Sequence, residues 1–319
     1  MIVARALWMN AAQEAVIRDT PYDAADDALT IKTLFSGISR GTERLVFHGQ
    51  VPVSEHANMR APFQEGEFTF PVKYGYAAVG EVQDGDRRGE VVFSLFPHQT
   101  NFAVPAYMAQ TVPDDVPAQR AVLAANMETA INITWDAQVS IGDRVVIVGC
   151  GVVGALVGYL TAKIPGTEVT LVDIDISRAT LANTLRCDFT TPDKAPDEAD
   201  VVIHTSASAA GLSRAIALAG VESTVIEASW YGASSTEVPL GGRFHQRRLN
   251  IASSQVGRVP AKQAARWDFG RRLAKALTLL NDPALDALIS GETAFNDLGE
   301  VYGRILHDPA TLCHRVCYE

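Results

Sequence analysis

The chain has 319 residues, 47% of them hydrophobic and 20% charged, with a formal net charge of −10 at pH 7. That length supplies two domains or one large one, with material for a buried core, and the acidic balance argues against a nucleic-acid or anionic-membrane surface, since the basic pair Arg247–Arg248 is too short to make one. No run approaches the roughly 20 apolar residues of a membrane span, and the N-terminal MIVARALWMNAAQEAVIR lacks the apolar core of a signal peptide, so a cytoplasmic protein is expected.

Residues 1–115 hold short apolar or alternating runs (ALTIKTLFSGIS, AAVGEV, GEVVFSLF, TNFAVPA) separated by Gly, Asp and Pro. They read as strands of a β-rich domain, with QDGDRRGE as a tight polar turn. From residue 116 the rhythm changes. PAQRAVLAANMETAINITWDAQ has helical spacing, and then strands alternate with helices: DRVVIVG, VVGALVGYLTAKI, EVTLVDI, a helix from Ser177, DVVIHTS, a helix from Gly211, and STVIEAS. That alternation predicts an α/β domain over 116–285 with a parallel sheet covered on both faces. AARWDFGRRLAKALTLL reads as one amphipathic helix, and residues 286–319 end in a short apolar run.

Within VVIVGCGVVG, Gly149, Gly151 and Gly154 have G-x-G-x-x-G spacing after a strand and before a helix, and Asp173 follows 24 positions after Gly149. Together these form a dinucleotide fingerprint. The first glycine permits the turn, the second admits the pyrophosphate, and the third allows close helix–strand packing. The helix N-terminus, beginning with Val152 and Val153, offers N–H groups to phosphate. Asp173 suits ribose hydroxyls and, with Asp175, disfavours a 2′-phosphate, so NAD is expected over NADP. Arg178 could pair with such a phosphate or lie on the adenosine. Thr205, Ser206 and Ser229 fall just past strand ends, where a nicotinamide crevice is expected. Trp230 and Tyr231 would wall that crevice or serve a subunit interface.

The cysteines are Cys150, Cys187, Cys313 and Cys317, without C-x-x-C spacing. A metal site from Cys313, His314 and Cys317 is a minor possibility.

A β-rich domain, a dinucleotide unit and a short C-terminal segment resemble, over nearly the whole chain, the medium-chain dehydrogenase/reductase superfamily. The resemblance implies a GroES-like fold for 1–115, a Rossmann domain over 116–285 and a return of 286–319 to the first domain. SGISRGTE, GYAAVGEV, EASWYG and HDPATLCHRVCYE are most similar to its bacteriochlorophyllide dehydrogenase branch, which oxidises a 3-hydroxyethyl group with NAD. The chain departs from that branch at Ala77, where an acid is usual. It also departs from the zinc enzymes of the superfamily. Ser39 stands where a cysteine ligand falls, Tyr76 and Ala77 replace His and Glu, and LAANMETA has no Cys or His for the third ligand. Zinc needs three side-chain ligands and an open position, so no metal is expected.

Something else must then stabilise the substrate oxygen and pass a proton. Tyr76 is the first candidate, with a wall-shaping role as its alternative. His98 could shuttle a proton or be a satisfied structural histidine. Ser39 and Thr42 could extend a relay or form a capped turn, and Glu43 reads as structural. By the resemblance, Arg40 would meet the cofactor pyrophosphate, and Arg315 could do so from the tail. The expectation is a zinc-independent, NAD-preferring oxidoreductase acting on a small secondary alcohol or ketone, and a homo-oligomer, a dimer by the resemblance. An NADPH-dependent quinone or enoyl reductase and a catalytically silent dinucleotide-binding protein are the alternatives.

Overall fold

Apolar residues at alternating positions near the N-terminus fold back as a hairpin, β1 (Ile2–Ala11) on β2 (Glu14–Tyr22), in a computed structural model that describes residues 2–25 and 27–319. The chain divides into two units, Met1–Ala125 with Leu273–Glu319, and Asn126–Arg272.

The first unit is β-rich. β3 (Ala28–Ser39) runs directly into α1 (Arg40–Phe47), so Ser39 is both the last strand residue and the helix N-cap. β4 (Glu65–Gly66) and β5 (Val72–Lys73) join the hairpin in a sheet ordered β2-β1-β5-β4. β6 (Ala78–Val82) and β7 (Val91–Ser94) pair antiparallel across the polar turn expected from QDGDRRGE. β8 (Asn101–Pro105) pairs with β3, and β9 (Gln110–Thr111) with β7. α2 (Ala118–Ala121) follows.

The second unit takes up most of α3 (Ala124–Ala137) and then β10 (Arg144–Val148), α4 (Val152–Thr161), β11 (Glu168–Val172), α5 (Arg178–Thr184) and β12 (Asp188–Thr190). Next come β13 (Ala199–His204), α6 (Ala209–Leu218), β14 (Ala219–Glu227) and β15 (Asn250–Ser253). The strands pair in parallel in the order β12-β11-β10-β13-β14-β15. Interior strands bury apolar residues on both faces, such as Val145 to Val148, as a sheet covered by helices requires. α6 begins at Ala209 rather than Gly211, because Ser208 caps it by accepting from the Gly211 N–H at 3.1 Å.

The amphipathic helix expected over residues 264–280 is shorter, α8 (Phe269–Thr278), and a separate α7 (Ala261–Ala264) before it shares only Ala264 with the expected span. The break falls before Asp268, whose carboxylate accepts from the Arg271 N–H at 2.7 Å and starts a new helix. β16 (Ile289–Ala294), α9 (Leu298–His307) and β17 (Cys313–Cys317) complete the chain, with β17 antiparallel to β3 and β16 parallel to β17. The return begins earlier than residue 286, and the second unit later than residue 116. Arg120, nearly buried, grips Asp286 through two 2.7 Å bonds and the Leu280 carbonyl through a third, fixing 116–125 and 273–285 in the first unit. Leu273, Leu277 and Leu280 are buried beside them, each stabilising the fold by about 1.5–3 kcal/mol. Among the described residues, no helix is long and apolar enough to cross a membrane.

Candidate functional site

In the first unit the strand-to-helix junction gathers hydroxyl groups around a buried acid. Gly75, at φ +129°, turns the chain before β6, and a Cβ there would lie 3.0 Å from the His98 ring. Tyr76 follows, partly exposed, its hydroxyl hydrogen-bonded by the side chains of Ser39 and Thr42. Burial, and next the negative charge of Glu43, push its phenol up to about 12, so Tyr76 is a neutral O–H group near pH 7. Three of the four residues expected to do the chemistry are thus together.

Glu43 is the hub of this cluster and fully buried. Its Oε1 accepts from the Ser39 backbone N–H at 2.7 Å, while Oε2 accepts from the Tyr302 hydroxyl at 2.6 Å and His98 Nε2 at 3.0 Å. His98 Nδ1 lies 2.7 Å from Ser36 Oγ, which in turn lies 2.9 Å from the Tyr318 hydroxyl. Because Nε2 donates to a carboxylate, Nδ1 accepts from Ser36. His98 is fully buried with both ring nitrogens used internally, an arrangement that holds Glu43 in place rather than one that meets a substrate. Cys313, opposite Ser39 across β17 and β3, is buried, and its thiol is pushed up to about 12 by burial and Glu43. Tyr302, Cys313 and Tyr318 join this site from segments distant in the chain, with no local spacing to mark them, whereas Ser36 lies three residues before Ser39 on β3.

These donors do not fit a catalytic zinc. The ligand positions implied by the resemblance carry a hydroxyl, a neutral phenol and Ala77. The acid in LAANMETA, Glu128, is bound to Arg272 at 3.0 Å. Among the described residues, no three His, Cys, Asp or Glu side chains come together to hold a metal. In β17, alternation turns His314 away from Cys313 and Cys317, toward Thr293 and over Gly291.

Two arginines are placed differently from expectation. Arg40 donates from Nε to the Leu306 carbonyl at 3.2 Å, at the negative end of α9. Arg315 sits opposite Glu292 in the β16–β17 register and pairs with it, with a further bond to the Gln119 carbonyl at 3.1 Å. Both are engaged within the first unit.

In the second unit the glycine turn is built as its spacing demands. Gly149 has φ +110°, and a Cβ there would lie 2.8 Å from the Ser206 N. At Gly154 a Cβ would fall 2.0 Å from the Gly149 carbonyl oxygen, so only glycine lets α4 approach the turn. At Gly151 nothing lies within 4 Å, which is the open side where a ligand's phosphates would come. Gly151 caps α4, and Val152 and Val153 are its first residues, whose N–H groups have no partner within the helix. Asp173 fixes the turn by accepting from the Cys150 N–H at 2.7 Å and the Asp175 N–H at 2.9 Å, yet stays partly exposed. Arg178 pairs with Asp175 at 3.5 Å. Hydrogen bonds from Ser177 hold the Asp175 carboxyl below the usual range. Thr205 ties β13 to the turn through the Gly149 carbonyl at 2.9 Å. Ser206 is exposed and Ser229 partly so, both beyond strand ends on the other side of β10 from Asp173. The residues present fit a dinucleotide.

No family model matches the chain, and no curated protein sequence matches it. Solved structures do. L-idonate 5-dehydrogenase from Escherichia coli superposes with a TM-score of 0.82 at 13% identity, covering 99% of this chain and 98% of that one. 2R,3R-butanediol dehydrogenase from Bacillus subtilis gives 0.77 at 16% identity, covering 98% and 99%. S. aureus TarJ in complex with NADPH gives 0.77 at 14% identity, covering 100% of both chains. At these identities the likeness is one of fold, an α/β architecture of a Rossmann domain with a GroES-like β-rich domain.

Proposed function

We propose that the chain is an oxidoreductase that moves a hydride between a nicotinamide dinucleotide and a small secondary alcohol or its ketone, preferring NAD to NADP and using no catalytic zinc. The observation that carries this reading is the hydroxyl cluster of Tyr76, Ser39 and Thr42 over buried Glu43. It stands where the resemblance puts the metal, in a chain that also holds a dinucleotide cradle. The fold neighbours support an alcohol as substrate, and the two acids at Asp173 and Asp175 support NAD.

A nicotinamide bound to the chain would supply the hydride acceptor or donor. The N–H groups at the start of α4 would hold its pyrophosphate, and Asp173 the adenosine ribose. In the ketone-to-alcohol direction, Tyr76 donates its O–H to the developing oxyanion, and the phenolate left behind takes a proton from solvent; in reverse, Tyr76 first loses its own proton to solvent and then takes the alcohol's proton. Ser39 and Thr42 orient the phenol. Burial, and next Glu43, keep it protonated at rest, and His98 and Tyr302 keep Glu43 in place. His98 is thereby a positioning residue. A homodimer is proposed with this reading, to be checked by sedimentation equilibrium.

Calorimetric titration of NAD(H) and NADP(H) into wild type and Asp173→Ala, with bound metal assayed on the same samples, tests the reading. Tighter NAD(H) binding, lost in the variant, without stoichiometric zinc, is expected. Tighter NADP(H) binding would favour a quinone or enoyl reductase, and dinucleotide binding without turnover of any alcohol, ketone or quinone a silent binding protein. Stoichiometric zinc would overturn the metal-free chemistry.

A further inference from the structure

The dinucleotide unit contains a buried polar chain that hydride transfer does not itself require. β13 and β14 are apolar along Val201–Ile203 and Val225–Ile226, yet each closes on an ionisable residue, His204 and Glu227, which are direct neighbours in the parallel register. His204 is fully buried. Its Nδ1 lies 2.7 Å from Glu227 Oε2, and its Nε2 lies 2.6 Å from Ser206 Oγ.

With a neutral imidazole at His204, the direction of each hydrogen bond in this chain follows from its two ends. Glu227 also accepts from the Tyr231 hydroxyl at 3.1 Å and the Ser229 N–H at 2.8 Å, so it acts as an ionised acceptor. Burial raises its carboxyl, but the His204 and Ser229 bonds outweigh that and bring it below the usual value. Nδ1 of His204 is therefore the protonated nitrogen, and Nε2 has only a lone pair to offer. Ser206 must give its hydroxyl proton to Nε2. At the other end the Gly211 N–H donates to Ser208 Oγ at 3.1 Å, and Ser208 lies 2.9 Å from Ser206 Oγ. Ser208 thus donates to Ser206, Ser206 to His204, and His204 to Glu227. The Ser206 oxygen is left with one lone pair facing solvent.

The surroundings are built for this arrangement. A Cβ at Gly211 would lie 2.2 Å from Ser206 Oγ and 2.7 Å from His204 Nε2, so α6 closes over the chain only with glycine there. Ala207 is held at φ +52°, its N–H bonded to Ser229 Oγ at 3.0 Å. Such backbone strain gathers at ligand-binding segments. Ser206 also borders Gly149 of the phosphate turn, at the switch in strand order between β10 and β13, where open parallel sheets bind ligands.

We propose that Glu227, His204 and Ser206 form a positioning triad that presents the Ser206 oxygen as a hydrogen-bond acceptor to the non-adenine nucleoside of the dinucleotide. The donor it accepts is a ribose hydroxyl or the carboxamide N–H. This rests on the dinucleotide reading above. It explains why an exposed serine is backed by a buried His–Glu pair, since a bare serine would offer donor and acceptor alike.

The test uses the full chain. Imidazole nitrogen NMR of the ligand-free protein should show His204 protonated at Nδ1, with that preference lost in Glu227→Gln. Calorimetry should show NADH binding weakened about tenfold in Ser206→Ala, with the fold retained and the Tm lowered by a few degrees, on the order expected for one lost bond to buried His204 Nε2. Glu227→Gln, whose side chain touches no ligand in this scheme, should weaken NADH binding as well. The 3-acetylpyridine dinucleotide lacks the carboxamide N–H. An equal loss with it assigns the ribose hydroxyl, and no loss assigns the carboxamide. Wild-type NADH affinity in Ser206→Ala, or a His204 protonated at Nε2, would overturn the proposal. So would covalent labelling of Ser206 by a fluorophosphonate, which would make it a nucleophile in a hydrolytic triad instead. If the wild type binds no dinucleotide while His204 shows the Nδ1 tautomer, the dinucleotide reading has failed and this ligand role falls with it, whereas the hydrogen-bond chain stands.

Discussion

On the reading proposed above, Tyr76 is the group of the first unit that meets the substrate, and Glu43, fully buried, is one that does not. Tyr76→Phe keeps the ring but removes the hydroxyl shared with Ser39 and Thr42. Its kcat for a secondary alcohol should fall by about a hundredfold or more, while the Kd for NADH stays at the wild-type value in calorimetry. Because the phenol lies near 12, the wild-type rate should show no alkaline loss from Tyr76 below about pH 11. A limb near pH 10 that vanishes in the variant would contradict this. Glu43→Ala leaves the Tyr302 hydroxyl and His98 Nε2 without their acceptor in a buried site. Urea unfolding should show a loss of about 3 kcal/mol. Ser39 and Tyr76 were legible in the sequence because the resemblance aligns them with metal-ligand positions of its zinc enzymes, and Thr42 because it lies in the same SGISRGTE run. Tyr302 and Tyr318 were not, since only the packing of the C-terminal segment within the first unit brings Tyr302 to Glu43 and Tyr318 to Ser36.

Elements behave as their local sequence dictates where backbone geometry decides, and depart from it where side chains cap or clamp. The glycine turn was readable because Gly149, Gly151 and Gly154 each answer a backbone need, and Gly154→Val tests this directly. Its Cβ would fall 2.0 Å from the Gly149 oxygen. The turn and α4 must then separate, and NADH binding should be lost in calorimetry although the far unit is untouched. The break between α7 and α8 was hidden, since AARWDFGRRLAKALTLL keeps helical spacing across it and only the Asp268 cap interrupts the helix. His204 and Glu227 left a faint trace, as two apolar strands that each end on an ionisable residue. Their pairing also shapes acid stability. The Glu227 carboxyl lies lower in the folded chain than in the unfolded one. It therefore stabilises the fold above its unfolded value, and that contribution disappears as pH falls through the folded value. Stability of Glu227→Gln, followed by urea unfolding between pH 3 and pH 7 on the order of half-unit steps, should fall less steeply on acidification than wild type. Equal slopes would mean that this carboxyl is not shifted by its partners.

At the scale of the molecule, the charge of −10 acts on any anionic ligand that approaches it. Both nicotinamide dinucleotides carry phosphates, but NADP(H) adds a 2′-phosphate of about two negative charges. That group would meet Asp173 and Asp175, with Arg178 already paired to Asp175 at 3.5 Å. If the adenosine ribose lies at Asp173 as proposed, local and global charge oppose NADP(H) in the same direction, and both oppositions weaken as salt screens them over a Debye length of about 10 Å at 0.1 M. The ratio of NADPH to NADH dissociation constants should be large at low ionic strength and shrink as salt rises from about 0.01 M to 0.3 M. Asp173→Ala should lower the ratio at low salt and flatten its dependence. A ratio that is insensitive to salt would place the discrimination in shape rather than charge. A ratio that grows with salt would mean that cations, not Asp173 and Asp175, face the adenosine ribose, and the preference for NAD would then have no electrostatic basis in this chain.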